Sequence, residues 1–323
     1  MSAKACALLL MLACVTVRAD EVKDIPPDKC DAQTVLNTLQ SGAVQRTAKA
    51  SESTMRMLAQ MQEIVAKHKD APPDRPMLDS LTNDEAAQFE SLSGQLLVSG
   101  YYQLAESRLE RDMGLMTNLL ETAGKLNAGA PLPSETSPEA QFYGYLGALR
   151  EVFKGQNHPE PKSKDACSLD LALERAASAA VAAIAESTEY LELLGLQAKY
   201  GIPNGAQFDV SKLSAADMAR LQGLRESLGG RASRVKLYDQ DISNLRYFAE
   251  VIALEFEGQK SDILQLGASP TAEYDKLQKA RYASLRPPMQ KGLNVWFFID
   301  NAMPSEASKA AEDRIKMMKQ SPK

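Results

Sequence analysis

The stretch LALERAASAAVAAIAESTEYLELLGLQAK (residues 171–199) decides the fold class. It places Leu173, Ala177, Ala180, Ile184, Ser187, Leu191, Leu194 and Ala198 at alternating steps of four and three. Such a seven-residue repeat is the pattern of helices packed side by side at a shallow angle. The Ala-rich first half lets a neighbour approach closely, and Gly201-Ile202-Pro203-Asn204-Gly205 stops the run. One continuous fourth helix is expected here.

A second stripe of the same kind follows a helix start near Ser233: Tyr238, Ile242, Leu245, Ala249, Ile252 and Phe256. Two such stripes predict an all-α fold, an elongated antiparallel helical bundle with heptad-patterned long helices. The remaining helices fit between Pro and Gly punctuation. The first spans about Ala32 to Lys69, with Met57, Leu58, Met61, Ile64 and Val65 at helical spacing. The second starts near Thr82 with Asn83 as its cap, carries Leu109, Met113, Met116 and Leu120, and ends near Asn127. A third covers about Glu139 to Lys154. A fifth starts at Ser214 with Asp217 in a box-like cap and closes at Gly229-Gly230.

The N-terminus, MSAKACALLLMLACVTVRADEV, has Lys4, an apolar run from Cys6 to Val17 and a small-residue site at Ala19. That is the layout of a removable signal peptide over residues 1–19. The lipoprotein alternative cleaves before Cys14 and anchors the chain by lipid. No later stretch is long and apolar enough to span a bilayer, so a periplasmic or secreted protein without a transmembrane segment is expected. No Asn-X-Ser/Thr occurs, which favours a bacterial periplasm. The expected division is leader 1–19, helical bundle 20–268, and a basic and aromatic helical segment 269–323 packed on it.

The 37 basic and 42 acidic residues lose Lys4 and Arg18 with the leader, leaving 35 against 42. This acidic balance argues against nucleic acid as a partner. The leader also removes Cys6 and Cys14. Cys30 and Cys167 remain, and in an oxidising compartment they are expected to form a disulfide, with two free thiols as the alternative.

The residues for chemistry are sparse. His68 sits at a charged helix end and His158 in a polar loop, so neither has the context of a nucleophile site. Two distant histidines and two distant cysteines do not make a zinc site, which takes roughly three or four ligands. No Gly-rich phosphate loop or spaced acidic calcium loop occurs. No cofactor, metal or catalytic residue is therefore expected.

Two fragments carry resemblances. Gly114-Leu115-Met116, with Glu90-Ser91 and Glu106-Ser107 upstream, resembles elements of lytic transglycosylases, but Arg111-Asp112-Met113 replaces their Gly-Ala and the spacing departs. Phe142, Leu146, Ala148, Leu149 and Glu151 are similar to the ten-residue motif of bacterial lipase-specific foldases, which are periplasmic helical chaperones. The Arg before that motif and the Asp within it are absent here.

Residues 276–291 hold Lys276, Lys279, Arg281, Arg286 and Lys291 and no acid; the only Trp follows in Asn294-Val295-Trp296-Phe297-Phe298-Ile299. Lys279, Arg281, Tyr282, Arg286, Trp296, Phe297 and Phe298 are the candidate partner-docking residues, because Arg and aromatic anchors carry most interface energy. The competing expectation is that the aromatics plug one end of the bundle. A last polar helix is expected from about Ser305 to Lys319. The expected function is that of an exported, non-enzymatic helical protein acting through protein–protein contacts: an adaptor, chaperone or envelope-assembly component. The alternative is a helical cell-wall glycan hydrolase using Glu90, Glu106 or Glu110 as general acid.

Overall fold

A computed structural model describes residues 22, 24–68, 80–134, 137, 139–156, 166–266 and 270–302, without the side chains of 270 and 298–302. The leader with Cys14, His158 and the segment Ser305 to Lys319 lie outside the described residues. Among the described residues there are eight α-helices and no strand. They are α1 (Ala32–Ala66), α2 (Asn83–Asn127), α3 (Glu139–Val152), α4 (Leu169–Ala185), α5 (Thr188–Lys199), α6 (Ala215–Leu264), α7 (Pro270–Ser284) and α8 (Pro287–Ala302). The fold is an all-α helical bundle.

The helices start where short polar side chains satisfy orphan backbone donors, each worth about 1 kcal/mol. Asp31 accepts from Thr34 N at 2.9 Å, Ser168 from Leu171 N at 3.1 Å and Ser214 from Asp217 N at 3.1 Å. At α2 the cap is Thr82 rather than Asn83. Its hydroxyl accepts from Glu85 N while the Glu85 carboxylate accepts from Thr82 N, a complete capping box. His68 lies 2.9 Å from the same carboxylate and ties the end of α1 to the start of α2.

Four helices close a ring: α1 packs on α2, α2 on α6, α6 on α4, and α4 on α1. Thr54 beside Ser99, and Arg46 beside Glu106, set α1 antiparallel to α2. Arg108 and Asp112 lie with Glu255 and Gln259, while Gly129 lies beside Arg234, which sets α2 antiparallel to α6. The α1–α4 seam is joined by the Cys30–Cys167 disulfide. Leu36, Leu109, Met113, Met116, Leu149, Leu173, Ile242, Leu245 and Phe248 fill the ring and are almost wholly buried. Each such side chain contributes roughly 1.5–3 kcal/mol on leaving water. α3, α7 and α8 cover the side between α2 and α6.

Outside the ring, two pairs of helices continue in opposite directions. The second half of α1 and the first half of α2 form one arm. α5 and the start of α6 form the other. α2 plus the part of α6 beyond it spans roughly 100 Å at 1.5 Å per residue. The arms have thin apolar seams: Ile64 and Leu92 in the first, Leu196, Leu221 and Leu224 in the second, none of which joins the main core.

Polar pairs supplement these seams. In the second arm, Asp217 accepts from Lys199 Nζ, Ser214 Oγ and Tyr200 Oη at 2.7, 2.6 and 2.7 Å. These bonds, Lys199 first, hold the Asp217 carboxyl below its ordinary value of 3.8. A carboxyl depressed in the fold stabilises it above that ordinary value and stops doing so as pH falls through the folded one. Asp217→Asn is therefore expected to speed amide exchange in α5 and the first turns of α6 at pH 7. The difference from the parent should shrink below about pH 4. Equal exchange at pH 7 would show that the cluster does not hold the arm.

Two helix boundaries differ from expectation. The fourth helix is two, because Ser187 caps a new one. Its Oγ accepts from Tyr190 N at 3.3 Å and donates to Ile184 O at 2.6 Å, and Glu189 suits the first turn. Beyond the break the heptad stripe loses its meaning: Leu191 is 56% exposed, while Leu196 and Gln197 face inward. Conversely, Gly229-Gly230 does not stop a helix, and α6 runs 50 residues through it. The chain-reversing glycines are Gly129, Gly155, Gly201 and Gly205, whose φ values are positive. Gly229 and Gly230 are exposed and helical, with open or ordinary contact space for a Cβ. Buried Leu221, Leu224, Val235 and Tyr238 on either side hold the helix through them. Replacing both with Ala is expected to stabilise the protein by about 1–2 kcal/mol, from about 0.8–1 kcal/mol per glycine. A urea midpoint that falls instead would mean that α6 needs its pliancy here.

Candidate functional site

The C-terminal candidates separate into inward and outward groups. In α8, Met289, Leu293 and Trp296 recur at steps of four and three and are buried. Trp296 is 2% exposed, donates from Nε1 to Asp112 Oδ2 at 2.8 Å, and has the Arg108 guanidinium 5.9 Å from its ring. Gly292 permits this seating, since a Cβ there would come within 2.5 Å of Val251 Cγ2. Arg281 of α7 also turns inward. It donates to Glu255 and, at 3.0 Å, to Asp262, both buried on α6. Tyr282 donates to Asn294 at 3.1 Å and links α7 to α8.

Phe297 is 38% exposed and edge-on to Trp296, and Arg286 and Lys279 are both exposed. The Phe298 side chain lies outside the described residues. The two strongest anchors of the sequence set, Trp296 and Arg281, thus fix α7 and α8 to the bundle.

The glutamates of the glycan-hydrolase alternative are spread along α2. Glu90 is exposed on the first arm. Glu106 is fully buried and accepts from Arg46 at 2.9 Å. None of Glu90, Glu106 and Glu110 lines the open groove of about 640 Å³ between α4 and α6. That groove has a floor of Ala177, Val181 and Ile242 under Glu174, Asp239 and Arg246. Arg246 is committed to Asp170 at 2.7 and 3.3 Å. Among the described residues no group of three or more His, Cys, Asp and Glu is placed to hold a metal ion. The foldase-like fragment forms α3, and its matching Leu146 and Leu149 are core residues.

A surface that the sequence patterns did not single out lies on the first arm. Thr54 faces α2, bonding Ser99 and Gln103 at 2.8 and 2.7 Å. Met55 and Leu104 each come one residue after a facing position. In antiparallel helices the same one-residue advance turns both side chains to the same side of the pair. Val44 and Leu58 continue the Met55 line at helical steps, and Leu97 continues the Leu104 line. All five are exposed, Met55 by 66% and Leu97 by 48%. Ala48, Ala59, Ala86 and Gly100 fill the same face and are exposed too. Glu90, seven residues before Leu97, and Arg108, four after Leu104, bound the α2 line, while Lys49, Arg56 and Glu63 sit on the other sides of α1. A signal for it existed in the sequence, as a second apolar line one residue out of step with the facing line. No protein-family model, curated protein or solved structure matches the chain.

Proposed function

We propose that this is an exported, non-enzymatic helical protein that works by holding another protein, as an adaptor, chaperone or envelope-assembly component. The exposed apolar side chains of the α1/α2 arm carry the proposal. Five large aliphatic and Met side chains held in water on one side of a projecting hairpin, with small residues between them, suit the apolar side of a partner helix. The leader-like N-terminus and the buried disulfide support export to an oxidising compartment.

The test is site-specific photo-crosslinking in cells. A crosslinker at Met55 or Leu97 is expected to trap a discrete partner, and one at exposed Lys236 on α6 to trap none. Met55→Asp with Leu97→Asp should abolish co-purification of that partner while leaving the helical content unchanged. Equal trapping at Lys236 would sink the proposal. Mass spectrometry of the isolated protein settles the export step: an N-terminus at Asp20 is expected, and a lipid-modified Cys14 would mean an anchored form.

A further inference from the structure

We propose that the groove between α4 and α6 is a binding site for a small aliphatic polyamine. It lies apart from the α1/α2 arm and is independent of the docking role given to that arm.

Helix register sets the two ends of the groove. Arg246 contacts Asp170 and Glu174, and Arg231 contacts Glu189, so α4 and α5 run antiparallel to α6 with Glu174 level with Arg246. In that register Val181 is level with Asp239, seven residues further along each helix. Glu174 therefore stands at one end of the groove and Asp239 at the other, roughly 10 Å apart along the axes. Each comes one residue after a buried side chain of the seam, Leu173 and Tyr238, so both carboxylates rise on the same side of the helix pair. Between them the small side chains Ala177, Ser178 and Ser243 leave a trough floored by Ile242. Its volume of about 640 Å³ is that of a small-molecule site, roughly 300–1,000 Å³.

The negative charge of this trough is not compensated from within. Arg246, the one cation of the lining, is held by Asp170 at 2.7 and 3.3 Å and reaches Glu174 only at 3.9 Å. Glu174 Oε2 is closed to solvent and accepts no hydrogen bond. A carboxylate oxygen kept from water without a donor is costly, and an ammonium entering the groove supplies the missing opposite charge. Asp239 is exposed and forms no ion pair among the described residues, although Lys236 lies one turn before it on α6. The serines add acceptors. Ser51, Ser93 and Ser233 turn their hydroxyls onto the carbonyl one turn back in their own helices. Ser178 and Ser243 make no such bond among the described residues and face the trough. A single ammonium would satisfy one end only. Ammonium groups at both ends of a thin aliphatic chain, as in spermidine, match the two carboxylates and the apolar floor between them.

Spermidine titrated into the full-length protein is expected to shift the Val181 and Ile242 methyl signals and to saturate. Asp239→Asn and Glu174→Gln should each weaken binding about tenfold, the effect of losing one hydrogen bond between charged groups. Asp239 is exposed and unpaired, so its replacement leaves the fold intact. Glu121→Gln, an exposed acid on α2, should leave the affinity unchanged. Shifts that fail to saturate, or that weaken as much with Glu121→Gln, would mean that the polyamine only samples an acidic surface, and they overturn the proposal. 1,3-Diaminopropane is too short to join the two ends and should bind more weakly; equal affinity overturns the two-ended seat. Trilysine binding more tightly than spermidine overturns it too, since the occupant would then be a basic stretch of another protein.

Discussion

Replacing Cys30 and Cys167 together with Ala is expected to destabilise the protein by about 4–5 kcal/mol, measured as the shift in urea-unfolding free energy. The bridge joins residues 137 apart, with the Cα atoms 5.6 Å from each other. In the chain-entropy treatment a closed loop of that length removes about 5 kcal/mol of freedom from the unfolded chain. The loop contains the whole of α1, α2 and α3, which is nearly half of the ring. Both cysteines are buried, and each stands just before a capped helix, at Asp31 for α1 and Ser168 for α4. The cross-link therefore sits where the ring closes. The α1–α4 seam relies on small contacts such as Ala32, Val35, Ala172 and Leu173. Amide exchange should consequently rise first in the opening turns of α1 and α4, before the α2–α6 core responds. A stability unchanged by the double replacement would mean that the unfolded chain is already compact enough to make the bridge redundant.

That pairing was legible in the sequence because it followed from counting: the expected leader holds two of the four cysteines, and one pair is left outside it. The helices were legible for a similar reason. Val35, Leu36, Leu39 and Ala43, then Leu109, Met113 and Met116, repeat at a period that only a helix satisfies. The boundaries that went astray have two causes. At Glu186-Ser187 the apolar period carries on through a capping serine, and the capping bond at Tyr190 outweighs the period. At Gly229-Gly230 the propensity against helix is real, about 1 kcal/mol per residue, and the buried leucines and Tyr238 on either side exceed it. At Ser187 one local signal, the cap, outweighs another, the period; at Gly229-Gly230 the missing quantity was tertiary burial.

The same limit explains the C-terminal set. Arg281 and Trp296 have the composition of an interface anchor, and composition does not tell an anchor in a partner from an anchor in the chain's own core. Their acceptors, Asp112, Glu255 and Asp262, are distant in sequence on α2 and α6. The arm face was hidden differently. Met57, Met61 and Ile64 lie toward the seam while Met55 and Leu58 lie off it. In sequence these blend into a single broad apolar stripe, which divides into a buried and an exposed part only once α2 is in place.

The second large effect is expected at Arg281. Arg281→Met should cost about 3–5 kcal/mol, because it strands Glu255 and Asp262, which are 4% and 5% exposed, without their shared cation. Adding Glu255→Gln and Asp262→Asn to the same chain should recover most of the loss at neutral pH; a loss that persists would point to packing of the arginine stem instead. A mutation on the other side of the contact should produce the same phenotype. Gly258 lies one turn along α6 between the two carboxylates, and any Cβ there would collide with the Arg281 side chain. Gly258→Ala is therefore expected to destabilise, although Ala favours a helix by up to about 1 kcal/mol over Gly. The sign is opposite to that for Gly229→Ala and Gly230→Ala in the same helix, so propensity alone cannot predict all three. If Gly258→Ala proves stabilising, the guanidinium does not cross α6 at that notch, and the latch holding α7 to the bundle must be sought elsewhere.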